Sequence, residues 1–125
     1  MTLQEREARA CAIIDSMAEE LRKVSLYLHH NPELGLDEHK AVKVINRFLE
    51  NRNFISQVGL TDLPELQTAL RGDYNGTAQH KIAFLGEYDA LPELGHGCGH
   101  NLIAMMSLGA AIAFSQSAPE EWGTT

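Results

Sequence analysis

The sequence predicts an α/β fold, with helices flanking a mixed sheet, on three observations. Helical spacing of apolar residues dominates the first fifty positions. Lys81-Ile82-Ala83-Phe84-Leu85 carries four consecutive apolar residues, as a strand covered on both faces does. A Gly-rich polar loop then leads into an apolar helix, which is strand–loop–helix order.

The first helix is expected from about Leu3 to His29. Thr2 and Glu5 have capping-box spacing. Ile14, Met17, Leu21, Val24 and Leu28 recur every three or four residues as one stripe. Pro32 disfavours helical geometry at Asn31, so the helix should stop near His30. A second helix follows from about Glu38 to Asn51, with Asp37 as its expected N-cap and Ala41, Val42, Ile45, Phe48 and Leu49 as its buried face. Phe54 to Val58 and Leu66 to Arg71 read as short strands, and Gly72 to Gly76 as a hairpin turn containing Asn-Gly.

Asn101 to about Ser117 reads as a third helix, apolar on nearly every side and so expected to meet protein on every side. After it a returning strand is expected and none is evident, since Pro119 to Thr125 reads as a tail. The expectation is therefore an N-terminal piece, residues 1–125, of a longer catalytic domain.

Composition narrows the function. At 44% hydrophobic and 22% charged residues the chain is an ordinary globular one, not a disordered one. A net charge of -7 with no basic block argues against a nucleic acid or an anionic membrane as partner. No apolar run approaches the ~20 residues that span a bilayer. The polar start does not read as a signal peptide, and two cysteines make no disulfide framework, so a reducing cytoplasmic location is expected.

The chemistry is concentrated between Gly86 and Asn101. Ligands bind beyond the carboxyl ends of strands in open α/β sheets, and this loop occupies such a place. Cys98 and His100 stand two apart, where extended or turn geometry lets both side chains point the same way. Both are ligand types for zinc or a similar divalent ion. The partial positive charge of a helix start favours an anionic sulfur there. A rival reading makes Cys98 a nucleophile with His96 or His100 as its base. Two ligands fall short of the three that a catalytic zinc usually takes from protein. Cys11 is expected to be a small buried hydrophobe, and His29, His30, His39 and His80 structural or solvated.

Glu87-Tyr88-Asp89-Ala90-Leu91-Pro92 followed by Gly95-His96-Gly97-Cys98-Gly99-His100-Asn101 resembles the active-site loop of co-catalytic metallopeptidases of the aminoacylase and carboxypeptidase G type. More narrowly, it resembles their amidohydrolase branch. That branch includes hydrolases of auxin conjugates and of p-aminobenzoyl-glutamate and a β-alanyl-lysine-type dipeptidase. His29-His30-Asn31-Pro32-Glu33-Leu34-Gly35 is similar to the family's His-x-Asn-Pro-Glu signature. Asn101, where many members carry Asp, matches the dipeptidase-like subgroup.

The resemblance implies a zinc-peptidase-like catalytic domain that hydrolyses amide bonds in N-acyl amino acids or dipeptides. It implies two zinc or manganese ions, with Cys98 and His100 as the first two metal ligands and Asp89 as the acid supporting the metal-site imidazole or the catalytic centre. Glu87 stands where other relatives carry a ligand histidine, and ligation is not carried over to it. The general-base Glu-Glu pair, further ligands and a lid domain that mediates homodimers are implied to lie downstream; Glu120-Glu121 follows the helix with no strand before it and is not that pair. The chain alone is expected to be inactive. The alternative from another class is a non-catalytic isoform acting as a binding or regulatory partner.

Overall fold

The computed structural model describes residues 1–125 as three helices and four short strands, an α/β arrangement. Helix α1 spans Leu3–His30, and its start is closed by the expected capping box between Thr2 and Glu5. Its end falls at Asn31, whose backbone N–H and side-chain amide both return to the Tyr27 carbonyl. Met17, Val24 and Leu28 are buried along α1, but Ile14 is not; Ile13 takes its place against the core. Cys11 is exposed on the outer face, contrary to the buried role expected, because the core reaches only the part of α1 from Ile13 onward.

Helix α2 spans His39–Glu50 and buries the expected face. Its cap differs from expectation. Asp37 pairs with the His39 ring, and Glu38 holds the N-cap position without capping the helix. The orphan amides at the start are met by Glu33, whose carboxylate accepts from Lys40 N–H at 2.9 Å and Ala41 N–H at 2.8 Å. Arg52, just past α2, lies over the Phe48 ring and pairs with Glu20 of α1, which ties the two helices together.

Strand β1 (Ile55–Val58) pairs antiparallel with β2 (Leu70–Asp73). The second strand thus lies later than the expected Leu66 to Arg71, and Gly72 and Asp73 belong to it rather than to a hairpin turn. Asn75 does adopt a positive φ, yet the turn leads to no hairpin. Strand β3 (His80–Ile82) pairs instead, in parallel, with β4 (Trp122–Thr124), reached through helix α3 (His100–Ser117). The returning strand expected to be missing is therefore present: Pro119 to Thr125 is not a loose tail. Trp122 packs its ring against His80 and Phe114. One antiparallel rung, Tyr74 to Thr124, joins the two ladders, so β4 lies beside both β2 and β3.

Helix α3 runs antiparallel to α1. Arg6 near the start of α1 donates to the Ser117 carbonyl, and Asn101 at the start of α3 donates to Ser25. Gly109 allows this closeness, since a Cβ there would meet Leu21 at 3.3 Å. The core formed by α1, α2, α3 and Phe54 is continuous, with Leu28 and Ile112 fully enclosed. Two burial expectations fail within this chain. Leu85 is 85% exposed after β3, and Leu102 and Met106 form an uncovered stripe on α3. The 3.6-residue repeat aims that stripe away from α1, and both side chains stay more than half exposed.

Candidate metal-binding site

Two segments distant in sequence are brought edge to edge to build the site. Leu34 and Ala90 form a parallel bridge, and Ala90 N–H donates to the Glu33 carbonyl at 2.7 Å. Glu33 therefore works twice: its backbone positions the residue after Asp89, and its carboxylate starts α2. The loop then folds back through the Leu91–Gly95 turn and enters α3 at Gly99. Gly99 has φ +84 at the N-cap, a left-handed conformation that a side chain disfavours.

His100 is the first residue of α3. Its Nδ1 lies 2.7 Å from Asp89 Oδ1 and 3.1 Å from the Asp89 carbonyl oxygen. In the tautomer whose Nδ1–H donates to Asp89, the lone pair of the ring resides on Nε2. A carboxylate behind an imidazole in this way orients the ring and raises its basicity toward a metal. Cys98 is exposed on the other side of Gly99, with its sulfur free of any disulfide.

His96 is buried, and its Nδ1 has no hydrogen-bond partner. Burial foremost, then the neighbouring His29 and His100, holds its pKa below the ordinary histidine value, against a smaller opposing pull from Asp89. That direction favours the neutral form of the ring. Sequence reasoning weighed His96 only as a base for Cys98; the spacing of glycines around it carried no signal of its burial. Asn101 is spent on holding the start of α3 to Ser25.

A second acidic group lies nearby. Glu38 is buried and accepts from the Thr68 hydroxyl and from Leu36 N–H. The Tyr88 hydroxyl donates to the Thr68 carbonyl, and burial, then the Glu38 charge, pushes the phenol up to about 12. A cavity of about 280 Å³ opens onto Glu38, Tyr88, Glu87 and Asp89. It does not include Cys98 or His100.

The donor chemistry fits a divalent metal in part. A thiol and a pinned imidazole are available, with an acid behind the ring. No group of three or more His, Cys, Asp and Glu side chains in this chain is arranged to hold a metal ion. No helix is long and apolar enough to cross a membrane.

No known family profile matches the chain. Individual proteins do. It is 39% identical over 110 residues to a Xaa-Arg dipeptidase of Mus musculus and 34% identical over 113 residues to one of Homo sapiens. Each match takes in 83% of this chain and 26% of that protein. It is 30% identical over 112 residues to an N-acetylcysteine deacetylase of Bacillus subtilis (strain 168), covering 78% of this chain and 28% of that protein. The chain spans 26–28% of the length of these curated relatives.

Proposed function

The chain belongs to the amidohydrolase family that holds these dipeptidases and deacetylases, and from that premise we propose that residues 1–125 are the N-terminal portion of a catalytic domain that hydrolyses an amide bond in a dipeptide or an N-acyl amino acid. The observation that carries this reading is the 2.7 Å contact between Asp89 and His100 beside the exposed Cys98. Names of the relatives favour a dipeptide over an acetylated amino acid, since the Xaa-Arg dipeptidases have the higher identities of the three.

In this reading Cys98 and His100 hold a divalent ion of the zinc or manganese kind, and Asp89 is a positioning residue that acts through His100. When bound, a pair of such ions supplies positive charge that polarises an amide carbonyl and makes water more acidic. The chain's own residues do the rest of what can be assigned. Asp89 fixes the ring so that Nε2 presents its lone pair. Gly99 turns the backbone so that Cys98 leaves α3 while His100 stays on it. Glu33 and Leu34 clamp the strand of loop that carries Asp89.

With two metal-binding side chains and no third, this chain by itself has no turnover, and its longer relatives' other residues are required. On this reading the intact protein is a homodimer in the cytoplasm. A thiol-nucleophile reading, with Cys98 attacking and a neighbouring imidazole as its base, ranks behind the metal reading, because such a pair is normally brought together by the fold rather than by adjacent residues.

Zinc titration of the purified chain tests the reading. Binding that disappears in both Cys98→Ser and His100→Ala is the expected result. Equal zinc binding in wild type and both variants, or no binding in any, refutes the assignment. Incubation with Xaa-Arg dipeptides and N-acetyl amino acids should give no hydrolysis by the chain alone.

A further inference from the structure

Glu38 holds the N-cap position of α2 yet caps nothing there, because Glu33 meets the first amides of the helix. Its side chain is instead buried, with the residue only 8% exposed. A buried acid is rare, and it costs free energy unless its oxygens are hydrogen-bonded. Both oxygens of Glu38 are: one accepts from Leu36 N–H at 3.1 Å and the other from the Thr68 hydroxyl.

These two bonds lead to the two flanks of Asp89. Leu36 is the third residue of a turn that Asp37 N–H closes on the Leu34 carbonyl at 3.0 Å. Its φ of +72 is the left-handed conformation for which glycine is the usual choice at that place. The turn begins at Leu34, which forms the bridge with Ala90. Gly35 runs close enough to Asp89 that a Cβ there would lie 3.8 Å from Oδ2. On the other flank the Thr68 carbonyl accepts from the Tyr88 hydroxyl. Ala90 is thus tied to the turn that Glu38 braces at Leu36, and Tyr88 to the residue whose hydroxyl Glu38 holds. One carboxylate joins both flanks.

We infer that, given the role proposed above for Asp89 behind His100, Glu38 is a positioning residue: through Leu36 and Thr68 it fixes the two backbone neighbours of Asp89, so that the Asp89 carboxylate meets His100 Nδ1. N–H···O bonds fade beyond about 3.2 Å, so a drift of about half an ångström spoils the 2.7 Å contact. Helix α2 is not uncapped when the Glu38 carboxylate is removed, because Glu33 remains.

The test reads the His100 ring in the metal-free 125-residue chain by long-range proton–nitrogen NMR, at about pH 8, where an ordinary imidazole is neutral. The nitrogen shifts report which ring nitrogen carries the proton. Glu38→Leu makes neither bond. Glu38→Gln can make both, its amide oxygen accepting from Leu36 and its N–H donating to the Thr68 hydroxyl oxygen. Arg52→Ala breaks the tie between α1 and α2 and touches none of these contacts. The expected result is a proton on Nδ1 in wild type, Glu38→Gln and Arg52→Ala, and its loss from Nδ1 in Glu38→Leu with helical circular dichroism unchanged. A folded Glu38→Leu with the wild-type ring overturns the inference, as does equal loss in Glu38→Gln or in Arg52→Ala. If Glu38→Leu does not fold, Thr68→Val, which removes the hydroxyl, decides: a partial loss supports the inference and an unchanged ring overturns it. A wild-type ring with its proton on Nε2 overturns the role of Asp89 as well. Absence of zinc binding alongside the expected ring states overturns the metal reading alone.

Discussion

The Asp89 carboxylate and the His100 ring meet at 2.7 Å from opposite ends of the glycine-rich loop. Asp89→Asn keeps the size of the side chain and removes its charge. Zinc affinity of the chain should fall by about 10–100-fold, measured by competition with a chromophoric chelator. An affinity within about twofold of wild type, below the range for such partners, counts against a positioning role for Asp89.

Glu33 replaces the expected helix cap. Its carboxylate reaches Lys40 and Ala41 amides from the loop before α2. Glu33→Ala should lower stability by about 1–2 kcal/mol, the range for removing a cap. Asp37→Ala, on the residue first expected to cap, should change stability by less than about 0.5 kcal/mol. Urea unfolding of the two variants separates these outcomes; equal losses would remove the distinction.

The Tyr88 phenol is raised from its ordinary value of 10 to about 12 by burial and then by the Glu38 charge. The folded state therefore keeps this proton at pH values where the unfolded chain releases it. Its contribution to stability is fully present below pH 10 and disappears as pH climbs through about 12. Thermal unfolding at rising pH should show the loss in that window. Tyr88→Phe should flatten the alkaline slope while lowering stability at neutral pH, because the bond to Thr68 is gone. An unchanged slope would contradict the assignment.

Two glycines should respond differently to alanine. At Gly99 a Cβ meets nothing within 4 Å, so only the left-handed backbone is penalised, by about 1–2 kcal/mol. At Gly123 a Cβ would collide with the backbone carbonyl of Asn75 and crowd the Tyr74 carbonyl and Ala78 Cβ, each at 3.1 Å. That strand cannot stay in place, and a loss of about 3 kcal/mol or more is expected. Melting temperatures of Gly99→Ala and Gly123→Ala check the order.

Local signals in the sequence were sufficient for α1. Capping-box spacing and Pro32 mark its ends because both act through neighbouring residues. The same reasoning misplaced the cap of α2, since Glu33 reaches it from seven residues away rather than from the cap position. Strand β4 was missed because three residues after a proline carry no periodicity. Its place is set by Tyr74, nearly fifty residues earlier, and by His80. In the loop, Cys98 and His100 stood out by residue type, and the resemblance pointed to Asp89 as an acid supporting the imidazole. The burial of His96 depended on tertiary packing that no short motif encodes.

The contact between Arg6 and Ser117 has a temporal consequence. Helix α1 leaves the ribosome before α3, and the surface holding Met17 and Leu28 meets α3 only after the intervening α2, β1, β2 and β3 have been synthesised. Until then that stripe is open to water and to chaperones, and slow translation lengthens the interval in which it can aggregate.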